Sequence, residues 1–370
     1  MVLRSARSWL AARATQFRQW WGRLSTAAKV VVVGVPLIAI GVGTALATMG
    51  GGGGHPTAVS SPTASSPPSS SPPSGSPTAP PTSPPSAVAP LTGLDQPEGR
   101  IVAVKIDNIV NARPQTGINS ADVVYTIEVE GGLTRFMAVF DANHLPPVVG
   151  PVRSARESDL PILEQYGKVP FAYSGALTKF LPVLSDANIF NASPNQSGSS
   201  YFRGPGVAPY NLFVRPSSIL AAFPDSAPAQ DIGFRFGPAP AGGQAESVYN
   251  VSFPAAKFTF DWSQQAQKWL VAMDGSPAQT TDAGQMGAPT VVIQHVAETT
   301  SPRGFEDSPG VPSPYAPTVG SGSATVLRDG KAYDASWSRP TDNSPTTFTQ
   351  PNGQPMDFHP GQVWVVLAPS

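Results

Sequence analysis

From residue 100 onward, apolar and polar positions alternate in short runs, the period-two pattern of strands that bury one or both faces. Arg100 to Asp107 (RIVAVKID) reads as a strand that ends at Asp107-Asn108. Ala121 to Glu130 (ADVVYTIEVE) and Leu133 to Phe140 (LTRFMAVF) read as a hairpin closed by Gly131-Gly132. Between them, Arg113 to Gly117 forms an irregular turn, since Pro114 pushes the residue before it to extended geometry. A helix is predicted to begin at Ser154, with Glu157 at the capping-box spacing. Val169 to Ser174 then gives a strand, Thr178 to Leu184 a helix, and Asn188 to Pro209 a long polar loop.

Beyond Gly242-Gly243 the pattern is almost wholly β. Strands are predicted over Val248 to Trp262, Lys268 to Met273, Thr290 to Val296, Ser323 to Leu327, Ala332 to Trp337 and Gly361 to Ala368. Asp274-Gly275 and Asp329-Gly330 supply hairpin turns. The expected fold is α+β: a mixed or antiparallel sheet with a few helices over 95–242, followed by a mainly β domain over 243–370.

The first quarter of the chain lacks this alternation. Residues 1–29 carry six basic residues and no acidic one, interleaved with aromatics. Val30 to Met49 is uncharged and apolar, and about 20 helical residues span a bilayer core. The excess of Arg and Lys before it places the N-terminus in the cytoplasm and the rest outside, as a single-pass protein of the cell membrane. A cleaved signal peptide ending near Ala45-Leu46-Ala47 is the alternative, and it also exports the remainder. Residues 50–94 are expected to form a disordered Pro/Ser-rich stalk, too poor in apolar groups to offset the entropy of ordering.

Only 13% of the residues are charged, yet Lys105 to Asp159 holds Arg113, Arg135, Arg153 and Arg156 beside Asp107, Glu128, Glu130 and Asp159. Guanidinium forks in such density suit a carboxylate or a phosphate. Asn108, Gln115 and Ser154 lie next to them, and Tyr201, Arg203 and Asn211 in the polar loop offer an aromatic face with amide and guanidinium groups. The leading expectation is a cleft that holds an anionic cell-envelope ligand or an envelope protein. The alternatives are a cell-envelope hydrolase of glycan or phosphodiester, using Asp107, Glu128, Glu130 or Asp159 as acid and base or as ligands of a divalent metal, and an ion-pair ladder on a sheet surface. The strand phase places Glu128 and Glu130 on one face, where Arg135 can approach across the turn. A net charge of −1 gives no basis for nucleic-acid binding. With no cysteine, no HExxH pair and no phosphate loop, no cofactor or metal site is indicated.

The ordered run IDN, ARPQTG, ADVVY, VEGGLTRFMAVF and VGPVRSARESD, followed by PYNLF, resembles the YerB-like family of bacterial extracytoplasmic proteins. The resemblance covers about residues 102–369, and Gly150 to Arg156 is its most specific part. It implies an extracytoplasmic location and one continuous fold, and it brings no established reaction. Family members are usually lipoproteins; here there is no cysteine, and the Val30 to Met49 span takes the place of the lipid. Where the family shows Pro-His-Asn, this chain has Pro209-Tyr210-Asn211.

Overall fold

The computed structural model describes residues 88–370. The basic segment 1–29, the apolar span 30–49 and most of the expected stalk lie outside the described residues. Among the described residues no helix is long and apolar enough to cross a membrane.

In chain order the larger elements are β1 (Ile101–Asp107), β2 (Val123–Val129), β3 (Leu133–Asp141), α1 (Asp159–Glu164), β4 (Val169–Ala172), α2 (Leu181–Asp186), β5 (Ile189–Asn191), β6 (Tyr201–Arg203), β7 (Leu212–Val214), α3 (Pro216–Ala222), β8 (Val248–Phe253), β9 (Ala256–Ser263), β10 (Lys268–Met273), β11 (Thr290–Val296), β12 (Gly320–Arg328), β13 (Lys331–Arg339), β14 (Thr347–Thr349) and β15 (Val363–Pro369). The protein is α+β. An 11-stranded mixed sheet runs β14-β13-β12-β11-β15-β2-β3-β1-β4-β5, with Gln244–Ala245 added beside β13. The last strand, β15, lies between β2 and β11 and is parallel to both. The segments 95–242 and 243–370 therefore build one sheet between them.

Both faces of this sheet are covered, so its central strands are apolar almost without a break. Along β15, Val363, Val365 and Leu367 enter one core while Trp364, Val366 and Ala368 enter the other. Along β1, Ile101 and Ala103 divide from Val102, Val104 and Ile106 in the same way. The first core is closed by Ile162, Leu163 and Tyr166 of the α1 region and by Phe234, Phe348 and Phe358. The second is closed by a smaller sheet of β8, β9 and β10, through Phe253, Phe258, Phe260 and Trp269. Trp364 is fully buried there, edge-on to Phe136 at 5.4 Å, and its indole N–H donates to Thr126 Oγ1 at 2.7 Å. The Asp-Gly hairpin turns adopt the left-handed conformations that their residues favour, with φ of 53° at Asp274 and 52° at Asp329.

Two local expectations are corrected. Ser154 does not cap a helix: Arg153 N–H donates to Lys105 O, Ser174 N–H to Arg153 O, and Ala155 N–H to Gly175 O. The segment is thus held extended between the ends of β1 and β4, and α1 starts only at Asp159. The stalk also ends earlier than residue 94. Val88 bridges Asp95, and Leu91 is buried in the first core at 1% exposure. Leu91→Ala is therefore expected to cost about 2–5 kcal/mol, and Leu94→Ala, at a 42% exposed side chain, within about 0.5 kcal/mol. Urea midpoints of the two variants check this; equal midpoints would return the segment to the stalk.

Candidate functional site

The C-terminal ends of β1 and β2 and the start of β3 stop at one end of the sheet, where a cavity of about 270 Å³ opens. Its charged lining is Asp107, Glu130, Arg135, Arg153, Arg156 and Asp307, with Thr134 and Ser154 beside them. Asp107 is the last residue of β1 and sits opposite Arg135 in the antiparallel register. Arg153 and Arg156 come from the extended segment that the sequence reading took for a helix start.

The three arginines are not equivalent. Arg156 is engaged at every nitrogen: Nε donates to both oxygens of Glu130 at 2.7 and 2.8 Å, Nη1 to Ala155 O, and Nη2 to Asp307 at 3.4 Å. Burial alone would raise the Glu130 carboxyl, but the bonds from Arg156, with one from Ser313, hold it below the ordinary value. Arg153 and Arg135 instead share a single carboxylate. Arg153 Nε lies 3.0 Å from Asp107 Oδ2, yet neither atom completes a hydrogen bond. Arg135 Nε is 4.0 Å from Asp107 Oδ1 and has no acceptor among the described residues, while Nη1 donates to Ser154 O at 3.0 Å. Burial, then the charges of Arg156 and Arg153, push the Arg135 guanidinium down to about 10, so it stays a cation at neutral pH. Around Asp107 two cations face one anion and keep unfilled donors, while Arg156 faces two anions, so the charged lining as a whole holds three cations and three anions.

Beneath the cavity, Lys105 and Asp159 form an ion pair at 2.5 Å with both side chains fully buried. Burial lowers the Lys105 ammonium, and Asp159 opposes that shift. Asp159 also accepts the Arg156 N–H at 2.7 Å, which fixes the turn that carries the arginines. Asp159 is thus a buried support, outside the cavity. Asn108 and Gln115 are buried as well: Asn108 donates to Thr134 Oγ1 at 2.8 Å, and Gln115 to Asp107 O and Asn108 Oδ1, both at 3.1 Å. Arg113 is turned away from the arginine cavity. It binds Asn108 O and pairs with Asp274 at 2.7 Å.

Arg135 meets neither glutamate in an ion pair. Glu130 leaves the strand in a 3-10 turn where Gly131 takes φ of 75°, which breaks the period-two phase and delivers Glu130 to Arg156. Glu128 remains in β2 and faces Glu298. Two facing carboxyl groups can hydrogen-bond only if one keeps its proton; burial and the charge of Glu128 push Glu298 up to about 7, and burial raises Glu128 too. Tyr201, Arg203 and Asn211 pin their loop. Tyr201 donates to Ala192 O at 2.5 Å, Arg203 to Asn211 Oδ1 at 3.0 Å, and Asn211 to Gly204 O and Gly206 O.

The loop's contribution to the site is Tyr210, whose ring carries the Arg153 guanidinium at 5.3 Å. The second half of the chain contributes Asp307 and Ser313 at the cavity, and Ser301 and Arg303 to Glu157. These contacts join residues more than 140 positions apart, and no local pattern announces them.

Two family domains match this chain: "Protein of unknown function (DUF3048) N-terminal domain" over residues 91–229, and the corresponding C-terminal domain over residues 249–365. The "Putative lipoprotein YerB" of Bacillus subtilis (strain 168) is 51% identical over 73 residues, 19% of this chain and 22% of that protein. The aligned stretch thus spans under a quarter of that relative's length. The crystal structure of the YerB protein from Bacillus subtilis superposes with a TM-score of 0.63 over 77% of this chain and 97% of that one. At 22% identity this is a likeness of fold.

The Glu128–Glu298 pair gives a pH dependence of definite sign. Glu298 holds its proton up to about 7 when folded and releases it near 4.5 when unfolded, so the folded state binds more protons between those values. Its contribution is fully present below 4.5 and is lost as pH rises towards 7. In Glu298→Gln, denaturation across this range should show a shallower fall in stability with rising pH than in the parent protein. Parallel pH profiles would contradict the protonated pair.

Proposed function

The chain belongs to the YerB-like family defined by the two DUF3048 domains, and from that premise we propose that it binds an anionic group of a cell-envelope ligand or envelope protein between Arg135 and Arg153. The observation that carries this reading is the two-to-one ratio of guanidinium groups to carboxylate around Asp107, with a donor left unfilled on Arg135. An incoming carboxylate or phosphate would accept from both forks and fill the donors that Asp107 leaves open. The support is rigid, because Arg153 lies on Tyr210 and Asp159 anchors the turn.

Hydrolysis by the acidic residues has less behind it. Asp159 is closed off beneath the cavity against Lys105, Glu130 is engaged by Arg156, and Glu128 pairs with Glu298 away from the arginines. We place the protein on the outer side of a membrane. The Bacillus subtilis relative's name calls it a lipoprotein, and in this cysteine-free chain the uncharged Val30 to Met49 stretch is the segment long enough to anchor it.

Thermal-shift titration of the full chain in detergent, with inorganic phosphate, citrate and poly-glutamate as probes, tests the site. Saturable stabilisation by at least one probe is expected, at least tenfold weaker in Arg153→Gln with its own transition little changed. Arg156→Ala is expected to lower the transition itself, since it strips a buried carboxylate of its partner at a cost of about 3–5 kcal/mol. No saturable shift in the parent protein, or an equal one in Arg153→Gln, would defeat the reading.

A further inference from the structure

We infer that the surface from Val110 across the Arg113-Pro114 ridge to Tyr210 is a docking groove for an extended polypeptide carrying apolar side chains next to an acidic one. The acidic residue would occupy the Arg135/Arg153 site, so this part of the inference rests on that reading.

Two clefts flank the ridge and share Arg113 and Pro114 in their walls. One, of about 470 Å³, lies against Val110, Met273, Pro277 and Ala278. The other, of about 570 Å³, lies against Val148, Pro151, Phe202, Tyr210 and Phe213. Tyr210 then leads to the arginine cavity, because its ring supports Arg153 at 5.3 Å. Apolar side chains stand exposed beside both clefts: Val110 at 66% in the first, and Val207 at 77% in the turn whose Gly206 lines the second.

The walls are built in advance. Phe202 stacks on Phe213 at 5.8 Å, Arg215 covers Phe202 at 4.4 Å, and the Asn211 amide ties the turn at Gly204 and Gly206. A preformed wall avoids the ordering cost that a mobile loop would add on binding.

The chemistry of the lining selects the partner. A glycan lying across both clefts would need acceptors and donors for its hydroxyls, whereas these walls are chiefly carbon. One small apolar molecule would fill one cleft and leave the second empty. An extended peptide advances about 3.3 Å per residue, with alternate side chains on one side, and can seat apolar groups in successive clefts. Charge complementarity supplies the rest: Arg113 on the ridge is already paired with Asp274, so the donors open to an acidic side chain are those of Arg153 and Arg135 at the far end.

The test is to pan a random dodecapeptide display library over the full chain in detergent micelles and measure the enriched peptides by fluorescence anisotropy. Peptides combining apolar residues with a nearby Asp or Glu are expected, binding at least tenfold more weakly to Val207→Asp and to Tyr210→Ala. Val207→Asp changes an exposed side chain, and its unchanged thermal transition separates lost binding from lost folding. Absence of enrichment, or peptides that bind both variants as well as the parent, would overturn the groove. Peptides that need Val207 and Tyr210 but tolerate Arg153→Gln would keep the groove and sink the anionic site instead.

Discussion

The structure depends on where its last strand goes. β15 enters between β2 and β11, is buried on both faces, and pairs in parallel with each neighbour. A parallel strand cannot be added by a tight turn, so the chain must complete nearly all its other elements before closing the sheet. Each fully buried Val or Leu of β15 contributes about 1.5–3 kcal/mol by leaving water, and the strand sends such residues into both cores. Without it, β2 would end one sheet and β11 another, each with an apolar edge open to pairing with other chains.

That closure also makes the site. The ends of β1 and β2 form the cavity floor, while Asp307 and Ser313 reach Arg156 and Glu130 from the half of the chain that β15 holds in place. A division of labour follows. Lys105 with Asp159, and Arg156 with Glu130, are compensated pairs with little exposure, and they fix the backbone turn. Arg135 and Arg153 inherit a fixed geometry and keep unfilled donors, the feature on which the proposed anion binding rests.

Much of this was legible from local pattern. The strands β1, β2 and β3, their hairpin and the β-rich second half follow from alternation, and charge density within about fifty residues points to the cavity that Arg135, Arg153 and Arg156 share with Asp107, though it also points to Arg113, which pairs elsewhere with Asp274. What was not legible depended on distant contacts. Ser154 and Glu157 have the spacing of a capping box, but the main chain on either side of Ser154 is claimed by Lys105, Ser174 and Gly175, so no helix forms there. Glu130 obeys the strand period until the Gly131 turn removes it. In the aromatic loop, Tyr201, Arg203 and Asn211 hold the backbone, while the less conspicuous Tyr210 reaches the arginines. Leu91 sits in a Pro-rich composition that reads as stalk, and only the partners waiting in the first core draw it in.

The most direct measurement of the central claim is the side-chain NMR signal of each arginine Nε–H, followed as phosphate or poly-glutamate is added. The account predicts concentration-dependent shifts for Arg135 and Arg153 and a stationary signal for Arg156, whose Nε–H is already taken by Glu130. Movement of Arg156 with Arg135 and Arg153 unchanged, or no movement at any of the three, would contradict it.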